Sequence, residues 1–299
     1  MCLLALTPND YLALVESYRS GSTYSAVATL RAAEVDEVKA ALDGPELPDV
    51  ELEIAAILLH TEVAVEVVEK ERVHLLEAER LLEGLKDMAF VRSWRLWIAR
   101  HFQTLMRPWS AIPHLEKARA LFLDDLVLAI QAGSAYEVAG WLGSDKAVAL
   151  AEDTFRSVLE REPGHAEAHL RLGRVFELSG KPEQAIEEIE KSLSLTDDVR
   201  LLLPGNLLLG DLYEERGDSA LALRHFEAAV VVDPLCQPAA MALGFALRRS
   251  GRPERARQIV ESFFAEGAVP AERDGWWLYM KGDPDALAAQ FRELREKVR

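Results

Sequence analysis

Cysteine is nearly missing from this chain. The two present, Cys2 and Cys236, stand far apart, and no CxxC spacing occurs. That argues against a disulfide framework and against a paired-cysteine metal site. No Gly-rich phosphate loop, GxSxG elbow or zinc-protease histidine pair is present either, so the common signatures of nucleotide, hydrolase and metalloprotease chemistry are lacking. Long apolar runs are also missing. Stretches such as Ile54 to Leu59 are bounded by charge, and the apolar start Met1 to Leu6 stops at Thr7-Pro8 with no basic region before it. Such a start is too short for a secretory signal or a membrane span, so a cytoplasmic protein without membrane association is expected. Basic residues are outnumbered, 34 against 50 acidic, for a formal net charge of -16. A surface that acidic repels nucleic acid unless basic groups are segregated. The densest basic pieces, Arg248 to Arg257 and Arg292 to Arg299, read as solvated helix faces, and no nucleic-acid partner is expected.

What remains is rich in Leu, Ala, Glu and Arg, with 49% hydrophobic residues and 13 prolines. That is the make-up of an all-helical protein with ample core. Of the seven histidines only His165 and His169 lie four apart. They do not bracket an adjacent glutamate, and His165 falls at a helix start, so neither a metal nor another cofactor is expected. The acidic run Glu183 to Glu190 alternates with Ile186 and Ile189 and reads as a solvated helix face. No enzymatic function is expected.

The chain is organised around Ala166 to Pro234, which holds two consecutive copies of one pattern. Leu209, Gly210, Tyr213, Gly217, Ala222, Phe226, Ala229 and Pro234 form one copy; Leu172, Gly173, Phe176, Gly180, Ala185, Ile189 and Ser192 form the other. Antiparallel helices approach closely where small residues meet, which predicts Gly210 facing Ala222 and Gly173 facing Ala185, with Tyr213 and Phe226 filling the grooves beside them. Gly217 suits the positive φ of a helix end, and Asp218 is placed to cap the second helix. This pattern resembles the tetratricopeptide family, whose repeat of about 34 residues is helix, turn, helix. The resemblance implies an all-α, right-handed superhelical solenoid of about seven or eight stacked antiparallel helix pairs.

Spacing between the small first-helix residues supports the frame. Ala139 to Gly173 is 34, Gly173 to Gly210 is 37, Gly210 to Gly244 is 34 and Gly244 to Gly275 is 31. The insertion of three is expected in a loop at Asp197 to Pro204. Regular repeats therefore run over 132–267, and a charged terminal repeat over 268–299 caps the array. Residues 1–45 read as a degenerate N-terminal pair opening at Thr7-Pro8. Divergent pairs fill 46–131, where the turn near Glu69 to Arg72 has no punctuation and one long bent pair fits the pattern too. Arg107-Pro108, Lys181-Pro182 and Arg252-Pro253 each open a second helix.

In the family, first helices line a concave groove that receives a partner segment. The residue after each small position, with neighbours three before and four after, keeps to one face. Here the rungs are Leu96, Arg100, Gln103; Tyr136, Gly140, Gly143; Leu170, Arg174, Glu177; Leu207, Asp211, Glu214; Met241, Phe245, Arg248; and Glu272, Trp276, Tyr279. Arg174, Leu207, Asp211, Met241, Phe245 and Arg248 are the candidate partner-binding residues; ordinary core is the alternative, first for Trp276 and Tyr279 and then for Met241 and Phe245. The family's clamp for chaperone tails needs a Lys/Asn set on consecutive rungs that this chain lacks. The resemblance thus implies a non-catalytic scaffold or adaptor with a protein or peptide partner. Its rivals are an assembly or secretion factor and a peptide-sensing regulator on the same repeats.

Overall fold

A computed structural model describes residues 49–66, 71–266 and Trp276. The expected pair at 1–45 and, Trp276 apart, the cap at 268–299 lie outside the described residues. The chain divides into two compact units, Met1–Trp97 and Ile98–Arg299.

In the first unit, α1 (Asp49–Glu66) packs on α2 (Glu71–Gly84), and α3 (Met88–Thr104) begins. These two helices flank the unpunctuated turn, whose residues 67–70 lie outside the described residues. Ile54, Ile57, Leu58, Ala78, Leu82 and Trp94 are buried. The Trp94 indole N–H donates to Thr61 Oγ1 at 2.7 Å, and that hydroxyl donates to the Ile57 carbonyl at 2.6 Å. The buried indole is therefore satisfied through a helix backbone. His60 and His74 meet Nδ1 to Nδ1 at 2.9 Å.

The second unit continues with α4 (Pro108–Leu121), α5 (Leu126–Trp141), α6 (Asp145–Arg161), α7 (Ala166–Leu178), α8 (Pro182–Leu195), α9 (Val199–Glu215), α10 (Ser219–Val232), α11 (Gln237–Arg249) and α12 (Pro253–Glu266). Within pairs, α5 packs on α6, α7 on α8, α9 on α10 and α11 on α12; between pairs, α6 meets α7, α8 meets α9 and α10 meets α11. First helices also touch, α5 to α7 and α7 to α9. Connections of three or four residues force each pair antiparallel. The result is an all-α stack around one continuous core that runs from Ile130 to Ala256. Among the described residues no helix is long and apolar enough to cross a membrane.

Local sequence explains the boundaries. Gly217 ends α9 at φ 88°, with Gly143, Gly180 and Gly251 likewise positive at the ends of α5, α7 and α11. The Asp218 N–H then reaches back to the Tyr213 carbonyl at 2.8 Å, satisfying an end-of-helix acceptor. Pro108, Pro182 and Pro253 open α4, α8 and α12, where a missing N–H costs nothing. His165 caps α7, its Nδ1 accepting from the Ala168 N–H at 3.2 Å. Asp218, expected to cap α10, makes no side-chain cap bond. Its carboxylate is taken by the Arg216 guanidinium, Nε at 2.6 Å.

Two further expectations are corrected. The three-residue insertion is not in a loop. It lengthens α9 to 17 residues, against 13 for α7 and α11, with Pro204 inside the helix. The preceding connector shrinks to Thr196, Asp197 and Asp198, so one extra turn of four less one connector residue makes up the three. Nor does Gly210 face Ala222 first. A Cβ there would lie 2.3 Å from Phe226 Cε1, and at Gly173 it would lie 2.4 Å from Ile189 Cγ1 and 3.0 Å from the Ala185 carbonyl. The closest approach is glycine to the bulky residue one turn past the small one.

Candidate functional site: the first-helix face

The middle turns of α7 and α9 are buried on every side, Ala168 to Phe176 and Leu203 to Gly210, whereas α11 buries one side and leaves Phe245 and Arg248 exposed. Leu170 and Leu207, read as groove residues, are core: both are buried. Arg174 is also largely buried, and its Nη1 pairs with Glu177 Oε2 at 2.6 Å. Its guanidinium carbon lies 6.0 Å from the centre of the Trp276 ring. One rung on, Asp211 is exposed, flanked by Glu214, which binds Arg249 Nη1 at 3.0 Å. On α11, Met241 is half-buried, whereas Phe245 is 55% exposed with the Arg248 guanidinium 5.4 Å above its ring. Phe245 is therefore not core. The six candidates sort into a buried pair, Arg174 and Leu207, and a surface row of Asp211, Met241, Phe245 and Arg248. Glu272 and Tyr279 lie outside the described residues.

The electrostatics of this face centre on Asp211. Its carboxyl is pushed up to about 7, first by removal of water around it, then by the carboxylates of Glu177 and Glu214, against the opposing pull of Arg174. Water at the exposed edge of the residue screens part of this repulsion. A carboxylate among carboxylates holds a proton or a partner's cation more readily than an isolated one.

Several polar contacts had no signal in the local pattern. Arg171 and Glu137, both buried, pair at 2.9 Å between α7 and α5, and Arg171 Nε binds Glu167 at 2.9 Å. His169 is buried, its Nδ1 2.5 Å from Glu188 and its Nε2 2.9 Å from the Pro163 carbonyl, so both ring nitrogens have protein partners. The Tyr213 hydroxyl donates to Glu190 at 2.5 Å. Burial first and that carboxylate second push the phenol up to about 12. His225 stacks on Tyr213 and meets Asn206 at 3.0 Å, and burial draws its pKa down. The acidic run on α8 is thus not merely solvated, since Glu188 and Glu190 each hold a neighbouring helix. One cue for Glu137 and Arg171 was available: they stand 34 apart, one repeat period. Among the described residues no group of three or more His, Cys, Asp or Glu converges as a metal site.

A stack of antiparallel helical hairpins with glycine turns is the architecture of a helical repeat array. The family model described as tetratricopeptide repeat matches residues 148–198 and 207–268. These segments are tetratricopeptide repeats, and repeats of this kind build protein-interaction scaffolds. Cellulose synthase operon protein C of Pseudomonas fluorescens (strain SBW25) is 28% identical over 171 residues, 56% of this chain and 13% of that protein. The chain therefore matches only a small part of that relative's length. Among solved structures, TTC0263, a thermophilic TPR protein from Thermus thermophilus, is 20% identical with a TM-score of 0.47, over 64% of this chain and 99% of that one. MamA from Desulfovibrio magneticus RS-1 is 20% identical with a TM-score of 0.46, over 58% and 94%. The fold described here rests on the helix pairing itself.

Proposed function

We propose that this protein is a non-catalytic scaffold that holds a partner's peptide segment along the groove lined by its first helices. The observation that carries this reading is the row on α9 and α11. Phe245, a large apolar side chain, stands in solvent under an arginine, four residues on from the half-buried Met241, and Asp211 on the preceding rung is exposed as well. An aromatic centre with a charged rim is the make-up of an interaction hot spot. Leu207, buried in the core, stays out of the partner's reach. The Pseudomonas relative takes its name from a cellulose synthase operon. That favours, as a second reading, an assembly factor that uses the same groove.

A displayed-peptide selection against the full chain tests the first reading. Ligands that bind wild type should lose about 2 kcal/mol or more on Phe245→Ala combined with Arg248→Ala, while thermal unfolding stays in place. Ligands that bind this variant as well as wild type would move the site elsewhere.

A further inference from the structure

Trp276 stands where the repeat frame does not put it. Arg174, Asp211 and Phe245 sit on α7, α9 and α11, and Trp276 follows Gly275, the small residue of the next rung. Packed helices lie about 8–10 Å apart, so three regular steps from Arg174 come to roughly 25 Å. That is more than an arginine and an indole can span. Yet the Trp276 ring centre is 6.0 Å from the Arg174 guanidinium carbon, and the indole is half-buried against the repeat core. Arg174 itself is fixed. It is largely buried and held by Glu177 at 2.6 Å, so it offers a rigid, planar cation. Such a plane accepts the face of an aromatic ring, indole best of all.

We propose that the first-helix face at Arg174 is an aromatic-accepting site, and that in the free protein its occupant is this chain's own Trp276. The inference rests on the groove reading above and gives it a partner chemistry. An incoming segment carries an aromatic side chain that displaces Trp276. Tethering raises the effective concentration of such an internal ligand to the millimolar range, so even a weak contact holds the face closed against poor competitors. Phe245, two rungs along, stays open and offers the first foothold.

The test uses a fluorescent peptide of residues 270–282 of this chain, titrated by anisotropy into full-length wild type and Trp276→Ala. The expected result is at least tenfold tighter binding to the variant. Adding Arg174→Lys, which keeps the charge and loses the plane, should reverse that gain, and a peptide with Ala at position 276 should not bind. Where Trp276→Ala loses helical signal, Trp276→Phe replaces it and should bind the peptide at least threefold tighter than wild type. Equal affinity for wild type and variant would overturn the proposal. So would a wild-type dimer in sedimentation that Trp276→Ala dissolves, which would make the occupant a second copy. The two readings fail separately. Selected ligands that depend on Phe245 but ignore Trp276→Ala would remove the internal occupant and leave the groove. The peptide results as expected, with no Phe245-dependent ligand, would do the reverse.

Discussion

Replacing Gly210 by alanine adds one methyl group to the tightest helix contact among the described glycines. An added Cβ would lie 2.3, 2.5 and 2.8 Å from three ring carbons of Phe226, which is wholly buried. Carbon atoms pack favourably at about 3.5–4.0 Å, so the ring must retreat by roughly 1.2 Å. A buried phenyl ring has no free rotamer to use, and close-packed surroundings transmit its shift to α10 as a whole. Overpacking of this kind costs about 1–3 kcal/mol, and a clash this deep falls in the upper half of that range. Against it stands the helix preference for alanine over glycine, about 0.5–1 kcal/mol. The net expectation is a loss of about 1–2 kcal/mol. Gly244→Ala is the matched control. There the nearest atom, Val260 Cγ2, is 3.1 Å away. A small shift of that side chain makes room, and the propensity gain of about 0.5–1 kcal/mol survives.

Urea unfolding followed by circular dichroism reads both variants on one scale. Gly210→Ala should lower the midpoint and Gly244→Ala should hold or raise it. The two are expected to differ by about 2 kcal/mol in all. A Gly210→Ala variant at or above the wild-type midpoint would refute the packing argument. So would Gly244→Ala proving the more damaging, because the order of the two follows only from which side chain each glycine faces.

The buried pair of Arg171 and Glu137 should respond asymmetrically: Glu137→Leu alone should cost about 3 kcal/mol, whereas Glu137→Leu with Arg171→Met should recover most of it. A double-mutant cycle in the same urea assay checks this, and additive losses would sink it. Asp211 predicts a pH effect of defined sign. Its folded pKa, about 7, lies above its ordinary value of 3.8, so its contribution to stability is full below about 3.8 and is lost as pH rises through about 7. After allowance for screening at an exposed site the effect is about 1 kcal/mol. Asp211→Asn should remove this decline from a plot of unfolding midpoint against pH, and an unchanged slope would contradict it.

The repeat frame was legible because its signals are short-range. A glycine at a positive-φ turn, a proline at a first helical position and a small residue seven places into α7 or α11 each act within one hairpin. Pro204 misled for the same reason. Proline ordinarily punctuates loops, but here it lies within the longer α9, and no local pattern distinguishes the two cases. Leu207 was misjudged because a three- and four-residue spacing fixes a face only to within a turn, while the neighbouring helix decides which edge of that face is covered. The position of Trp276 against Arg174 is a contact across 102 residues. Nothing in the sequence near either residue announces it.

The joints between repeats show why charge appears inside this core at all. Apolar faces attract without direction, and the hairpins here present similar faces: Ala, Phe, Leu and Val at matching offsets. Hydrophobic burial alone would let one repeat dock on another in more than one order. The polar contacts differ from joint to joint. Glu137 with Arg171 links α5 to α7, Glu190 with Tyr213 links α8 to α9, and Glu214 with Arg249 links α9 to α11. Their weights differ as well. Arg249 is exposed, so a wrong neighbour there costs about 1 kcal/mol or less. Glu137 and Arg171 are both nearly sealed from water, and a neighbour that broke this pair would cost about 3–5 kcal/mol. The buried pair adds little net stability over an apolar substitute, but it penalises misdocking several times more heavily than the surface pairs. It stands beside the rung that carries Arg174, where the stack must be in register for the first-helix face to form.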